Sequence, residues 1–427
     1  VGAPEILLER LDATDAQLKE YHLWLTQMIQ KGLRVLLVAK QKQFSGDQID
    51  HEQIHDLSFI GFVGLSDPLR ASARETIAKA KLAGLLPVMI TGDHPDTAFY
   101  IAKEAGLIES EDQILTGAEL DELDDVAFDS ELEKIVVYAR VLPRHKLRIV
   151  NAWKSKGMSV AMVGDGVNDA PAVKAADIGI ALGSGTEVAK ETADMVLLDN
   201  HFGTIVSAIE QGRAIFENIR KMVVYLLADS FSEIILIFGA IIFGLPLPIL
   251  PAQILWINLV TDGFPSIALT FEKAEDGIMQ EPPRKKHEPI LNKEMKIIIF
   301  IIGIISDLIL FAIYFYLLGQ EMDIDHIRTF IFVALGINSL FYVFAVRKFR
   351  TSVFHSNPFE NMWLVFGIFV GFLFLLVPML VPILREWFAL TPLTLLEWFV
   401  LIGIAFLQLL LIELVKMVFN RKKIKAE

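Results

Sequence analysis

The sequence predicts two architectures in tandem: an α/β part on a doubly wound parallel sheet, then an all-α transmembrane bundle of about six helices. Three observations carry that expectation. From Leu57 to about Asn200, short apolar runs alternate with helical patterns, the order that builds parallel sheets. Long apolar runs fill the second half, each close to the ~20 residues that a bilayer core requires. The loops between those runs alternate between basic and non-basic, as they do in chains that cross a membrane repeatedly.

The α/β elements follow in order. Strand-like runs are Ser58–Leu65, Leu86–Ile90, Ile135–Val141, Ser159–Val163, Ile178–Ala181 and Val196–Leu198. Helical patterns between them include Ala71–Ala83, Pro95–Gly106 and Arg144–Lys156. Residues 1–56 read as a separate piece, with a turn and strand from Gly32 to Ala39 and a polar loop from Gln43 to Glu52. His201–Lys221 has helical spacing and runs without a proline into the first apolar span, as a stalk would.

Candidate spans are Val223–Phe243, Leu250–Phe271, Ile297–Leu318, Arg328–Val346, Trp363–Ile383 and Leu393–Phe419. Arg284, Lys285 and Lys286 lie in one loop, Arg347, Lys348 and Arg350 in the next on the same side, and Arg421, Lys422, Lys423 and Lys425 in the tail. The opposite loops are short or acidic, such as Gln320–His326. The positive-inside rule therefore places the α/β part and the C-terminus in the cytoplasm. The net charge of −13 argues against nucleic acid as a partner. With no cysteine, disulfides, thiolate metal sites and cysteine nucleophiles are excluded.

Residues 162–173, Met-Val-Gly-Asp-Gly-Val-Asn-Asp-Ala-Pro-Ala-Val, are the most informative stretch. An apolar run ends in Gly-Asp-Gly and breaks into a helix, which puts Asp165 and Asp169 at the carboxyl edge of a parallel sheet, where ligands of open α/β sheets bind. Acids at that edge suit Mg²⁺ beside a phosphate. Thr91 follows another strand-like run and offers a hydroxyl beside Gly92 and Asp93, although a lone Thr-Gly-Asp reads equally as a turn or cap. Lys146 stands in the first turn of a helix, where a cation is disfavoured unless it reaches an anion.

These strings resemble the P-type cation-transporting ATPases, whose phosphorylation domain has the haloacid-dehalogenase fold. The match includes Ala175–Thr186, Met89–Asp93 and Ala139–Lys146, in the family's order, and extends over essentially the whole chain. The resemblance implies ATP and Mg²⁺ as cofactors. Asp165 would ligate Mg²⁺, and Asn168 and Asp169 would order that site. Thr91 and Lys146 would bind the phosphoryl oxygens. Arg34, Asp67, Arg70, Gly92, Asp93 and Arg140 would line the nucleotide and phosphate region. Residues 1–56 would be the C-terminal remnant of the nucleotide-binding domain, 57–200 the phosphorylation domain, 201–222 the stalk, and 223–427 membrane helices five to ten.

The family's Asp-Lys-Thr-Gly-Thr signature, with its phosphorylated aspartate, occurs nowhere in these 427 residues, nor does the actuator's Thr-Gly-Glu loop. The expected partners are the lipid bilayer and the N-terminal half of the same pump, with its actuator domain, its aspartate and the first four membrane helices. The chain alone is expected to turn over no ATP.

Within the spans, Ser230 and Glu233 share one helix face, and Asn258, Thr261 and Asp262 share another. Gly263 and Pro265 follow, breakers that free backbone carbonyls. Two carboxylates, an amide and two hydroxyls make a cage of hard oxygens suited to Ca²⁺, Na⁺ or K⁺. Asn338 is a further candidate ligand, and Asp229 and Asp307 are further polar groups at membrane depth. Leu255–Gly263 resembles the sixth membrane helix of calcium pumps of the sarco/endoplasmic-reticulum type, which favours Ca²⁺. The alternatives are a Na⁺/K⁺ or H⁺ pump, or a non-catalytic membrane scaffold. The expected location is multi-pass in the cell membrane.

Overall fold

The computed structural model describes residues 1–29, 32–41, 55–65, 69–286 and 288–424, without the side chains of Arg34, Asp262, Ile301, Ile302 and residues 420–424. The chain divides into two units, Val1–Ala208 with Met279–His287, and Ile209–Ile278 with Glu288–Glu427.

The first unit opens with helices α1 (Pro4–Leu8) and α2 (Asp15–Ile29), followed by strands β1 (Arg34–Gln41) and β2 (Leu57–Leu65). β2 pairs antiparallel with β1, from Arg34 opposite Leu65 to Gln41 opposite Leu57. By its place in the strand–helix alternation, Ser58–Leu65 is expected as the first strand of the parallel sheet. It joins β1 because its apolar side chains share the core of α1 and α2: Leu8, Leu25 and Leu37 pack with Phe59 and Phe62, and Tyr21 stacks on Phe59 at 3.9 Å.

The α/β region proper comprises α3 (Ala73–Leu82), β3 (Met89–Ile90), α4 (Pro95–Glu104), β4 (Ile114–Thr116), α5 (Gly117–Glu122), α6 (Asp125–Glu131) and β5 (Val137–Ala139). It continues through α7 (Pro143–Ser155), β6 (Ala161–Gly164), α8 (Ala170–Ala175), β7 (Ile178–Leu182), α9 (Glu187–Thr192) and β8 (Met195–Leu197). All strand pairs here are parallel, in two sheets ordered β3-β5-β4 and β6-β7-β8. Strand β3 is only two residues long, and Ile90 packs into the apolar clusters around both sheets. Val137, Tyr138 and Ala139 are wholly buried, as expected of a parallel strand covered on both faces. Gly106 and Gly157, at φ 75° and 80°, stop α4 and α7 in the left-handed conformation that closes helix ends.

The second part is helical. α10 runs unbroken from Phe202 to Ile242, 41 residues or about 60 Å at ~1.5 Å per residue. Then come α11 (Pro251–Ile257), a π turn over Asn258–Asp262, α12 (Gly263–Leu269), α13 (Lys293–Ile297), a second π turn over Ile298–Gly303, and α14 (Ile304–Gly319). α15 (Ile324–Val346), α16 (Met362–Leu380), α17 (Pro382–Trp387) and α18 (Leu395–Ile424) complete the chain.

Five helical stretches among the described residues are long and apolar enough to cross a membrane: Phe202–Ile242, Lys293–Gly319, Ile324–Val346, Met362–Leu380 and Leu395–Phe419. α15 is 83% buried against 22–44% for the others, so it is the central span. The sixth expected span, Leu250–Phe271, is helical from Pro251 to Leu269 but divided by the π turn. Pro265 has no N–H to give to the Thr261 carbonyl four residues back, and the Tyr225 hydroxyl donates to that oxygen instead, at 2.7 Å. The chain is a multi-pass membrane protein.

Candidate functional sites in the α/β unit and the membrane bundle

In the first unit the strand ends carry the predicted side chains. The Thr91 N–H donates to the Tyr138 carbonyl at 2.9 Å, fixing the residue to the end of β3. Its hydroxyl donates to Asp93 Oδ2 at 2.9 Å and accepts the Asp93 N–H at 3.1 Å, a local turn that leaves Gly92 exposed at the tip. Arg140 stands at φ 49° just after β5, and its N–H donates to the Asp93 carbonyl at 3.1 Å. The Arg140 head group lies 3.6 Å from Glu5, with both side chains in solvent.

Lys146 lies in the first turn of α7, and its Nζ donates to Asp169 Oδ1 at 2.5 Å. Asp169 is buried, and its other oxygen accepts the Asp165 N–H at 3.3 Å. A Cβ on Gly164 would lie 2.4 Å from the Asp169 Cβ, so only glycine lets this carboxylate fold back over the end of β6. Asp165 is exposed, held by its carbonyl accepting the Thr186 N–H at 2.9 Å, and Asn168 is exposed beside it. The division of labour is chemical. Asp165 presents an open carboxylate, whereas Asp169 is already engaged by a cation and an amide. That donor set fits Mg²⁺ on Asp165 with Asp169 supporting it, although the described residues contain no group of three or more metal-ligating side chains.

Arg70 donates to the Asn200 carbonyl at 3.0 Å, a tie across the unit. Asp67 lies outside the described residues, as does the side chain of Arg34.

In the membrane bundle, Asn258 Nδ2 donates to Glu233 Oε2 at 3.4 Å, bringing the π turn and α10 together. Ser230 does not join them. Its exposed hydroxyl donates back to the Leu226 carbonyl at 3.0 Å, because a short hydroxyl in a helix has its own i−4 carbonyl nearest. Thr261 is fully buried and likewise donates to the Ile257 carbonyl at 2.9 Å. Asn338 has a buried Oδ1 with no hydrogen-bond partner among the described residues. The Asp262 side chain lies outside the described residues.

Several contacts are not announced by any sequence pattern. The Tyr225 hydroxyl joins the Thr261 carbonyl and Ser339 Oγ, both at 2.7 Å, and so ties α10, the π turn and α15. Ser232 donates to Asp307 Oδ1 at 2.6 Å, so the in-membrane Asp307 belongs to α14 and α10 rather than to the Glu233 cluster. At the end of the bundle that carries the basic loops, Arg347 Nε donates to Glu272 Oε1 at 2.9 Å and Lys221 pairs with Glu275 at 2.8 Å, with all four side chains 1–2% exposed. Burial pushes the Glu275 carboxyl up, but the Lys221 ammonium and the N–H and charge of Arg350 together hold the group below its ordinary range. In the first unit, Asp177 accepts the Val160 N–H at 2.9 Å and Lys286 Nζ at 2.9 Å, and these two donors hold its carboxyl below the ordinary range. Lys286 thereby pins the 279–287 segment to the α/β unit, and Pro283 packs on Gly84 beside it.

Known proteins agree with this division. Residues 4–177 match the family model for haloacid dehalogenase-like hydrolase, residues 147–209 match a second model of that description, and residues 246–418 match that for the cation transporting ATPase C-terminus. Calcium-transporting ATPase 1 of Bacillus cereus is 40% identical over 407 residues, covering 91% of this chain and 46% of that protein. The chain belongs to the P-type cation-transporting ATPases. Among other P-type ATPases, Calcium-transporting ATPase of Bacillus subtilis is 38% identical over 95% of this chain and 47% of its own length. Calcium-transporting ATPase 3, endoplasmic reticulum-type, of Arabidopsis thaliana is 33% identical over 90% of this chain and 42% of its own. The chain thus spans about half the length of the curated relatives it matches.

Proposed function

We propose that this chain is the C-terminal half of an ATP-driven Ca²⁺ pump that works through an aspartyl-phosphate cycle and lies in the cell membrane. Residues 1–56 would close its nucleotide-binding domain, 57–200 form its phosphorylation domain and 201–222 its stalk, and 223–427 supply membrane helices five to ten. The observation that carries the transport reading is the π turn, which puts Asn258 3.4 Å from Glu233 inside a membrane bundle. π turns concentrate at functional sites, and an ionisable group at membrane depth is costly unless it serves one. Glu233, Asn258, Thr261, Asp262 and Asn338 would offer hard oxygens to the ion, with Ser230 joining only after its hydroxyl leaves Leu226. The names of the relatives favour Ca²⁺ over Na⁺, K⁺ or H⁺.

At the other site Lys146 and the Thr91 hydroxyl would meet the oxygens of the phosphoryl group. Lys146 would exchange its bond to Asp169 for one to that group as negative charge develops there. Mg²⁺ held by Asp165 would supply charge neutralisation on the same oxygens. Arg34, Asp67, Arg70, Gly92, Asp93 and Arg140 remain candidates for the nucleotide side.

The test is acid-stable phosphorylation of the full-length protein that carries this chain. Phosphorylation from ATP should require Ca²⁺, and Glu233→Gln with Asn258→Ala should raise the Ca²⁺ demand at least tenfold (about 1.4 kcal/mol). Unchanged Ca²⁺ dependence in that double variant would sink the cage, and dependence on Na⁺, K⁺ or H⁺ alone would replace the ion. The 427-residue chain by itself should hydrolyse no ATP, since it contains no Asp-Lys-Thr-Gly-Thr.

A further inference from the structure

We infer that His145 and Asp121 form a positioning pair that sets Thr91 and Lys146 in register with each other. The inference rests on the phosphoryl-transfer reading above. His145 is 3% exposed, directly before Lys146 in α7. The Leu142 N–H donates to its Nδ1 at 3.1 Å. A backbone N–H can only donate, so Nδ1 carries no proton and the ring proton sits on Nε2. Nε2 lies 2.9 Å from Asp121 Oδ1 and donates to it. One tautomer thus satisfies both bonds, and Asp121 selects it. The Arg144 guanidinium on Asp121 Oδ2 at 2.7 Å, followed by His145, holds that carboxylate well below its ordinary range and so keeps it an acceptor.

The segment that His145 grips also carries the other phosphate-binding group. Val141 donates its N–H to the Thr91 carbonyl at 3.2 Å and Arg140 donates to the Asp93 carbonyl at 3.1 Å. Residues 140–142 therefore hold the Thr91 turn on one side and the first turn of α7 on the other. Gly117 closes the assembly from α5: a Cβ there would lie 2.5 Å from the Arg140 carbonyl and 2.8 Å from His145 Nδ1. Loop and ring are wedged against a residue that only glycine can be. His145 touches neither phosphate group directly. Its bond to Leu142 sets where α7 starts, and with it the reach of Lys146 to Asp169, 2.5 Å away.

The experiment compares His145→Ala, His145→Asn, Asp121→Ala and Asp121→Asn in the full-length protein, reading phosphoenzyme formation from ATP. His145→Ala and Asp121→Ala should slow phosphorylation about 10- to 100-fold, the scale of a ~1 Å misplacement of a reacting group, with half-saturating ATP unchanged. His145→Asn places Oδ1 where Nδ1 stood, and Asp121→Asn keeps a carbonyl oxygen for Nε2–H, so both should recover most of the rate. Wild-type rates in both alanine variants overturn the pair. Equal loss in the alanine and conservative variants, with half-saturating ATP raised, also overturns it by marking general damage to the unit. If His145→Ala does not fold, Asp121→Ala and its asparagine rescue decide by the same criteria. Absence of phosphoenzyme in the wild type overturns the pump reading itself, which separates the two failures.

Discussion

Removing Arg347 should strand a buried carboxylate. Arg347 and Glu272 are each 1% exposed and bonded at 2.9 Å, and Glu272 has one further donor on the same oxygen, Asn361 Nδ2 at 3.0 Å. Breaking a buried ion pair from one side costs about 3–5 kcal/mol. The Asn361 bond survives in Arg347→Met, so the loss should fall at the lower end, about 3 kcal/mol. In a unit of this size that lowers the melting temperature by about 6–12 °C. Replacing both partners, Arg347→Met with Glu272→Leu, removes both desolvated charges and should return to within about 1 kcal/mol of wild type. The chain has no cysteine, so Ala240→Cys, at a fully buried position, reports unfolding in detergent through a thiol-reactive dye on heating. A single variant that melts with wild type, or a double variant that melts as low as the single, would refute the reasoning.

Further outcomes follow from single contacts. Gly164→Ala should push Asp169 off Lys146 and cost about 1–3 kcal/mol of overpacking, read as a lower melting temperature with phosphorylation reduced in the full-length protein. Tyr225→Phe leaves the Thr261 carbonyl without its hydroxyl donor and should cost about 1–3 kcal/mol, measured by the same dye assay. The depressed carboxyl of Asp177 stabilises the 279–287 segment above its unfolded pKa, near 3.9, and that contribution disappears as pH falls through the lower folded value. Protection of the Val160 amide against hydrogen exchange, relative to its intrinsic rate at each pH, should therefore hold down to about pH 4 and fall below it, and Asp177→Asn should flatten that dependence. Asp165→Asn should lower Mg²⁺-dependent phosphorylation by about 10²–10³-fold, and activity within tenfold of wild type would remove Asp165 from the site.

Where a motif contains its own geometry, the residues were legible in sequence. The Gly-Asp-Gly-Val-Asn-Asp string holds both the strand end and the glycine that admits Asp169, so the break from β6 into α8 is written in the sequence itself. That Ser230 and Glu233 share one face of α10 was legible for the same reason, since 3.6 residues per turn sets which side a residue is on. The π turn over Asn258–Asp262, by contrast, departs from the period that grouped Asn258 with Thr261 and Asp262. Spacing does not set what a short side chain bonds once it is there, and Ser230, on the right face, turned back to Leu226. The strand Ser58–Leu65 looked like any other apolar run. Only its shared core with Tyr21 and Leu25 decides that it pairs antiparallel with β1. The buried pairs Arg347–Glu272 and Lys221–Glu275 join residues 75 and 54 positions apart, and in sequence each reads as one more charge in a loop or on the stalk. His145 was visible only as the neighbour of Lys146.

The helix through Asn258 is pinned at both ends. Its first turn is held by the Leu250 N–H on Gln253 and by Gln253 on the Phe388 carbonyl, and its last by Asn361 on the Ala268 carbonyl. Between those clamps sits one surplus residue, the π turn. One inserted residue offsets the side chains beyond it by roughly 100°, the angle of one residue on a helical wheel, relative to an unbroken helix. The bundle therefore carries, at the level of Glu233, an angular offset that decides which side chains of this helix meet α10 while the helix ends stay fixed.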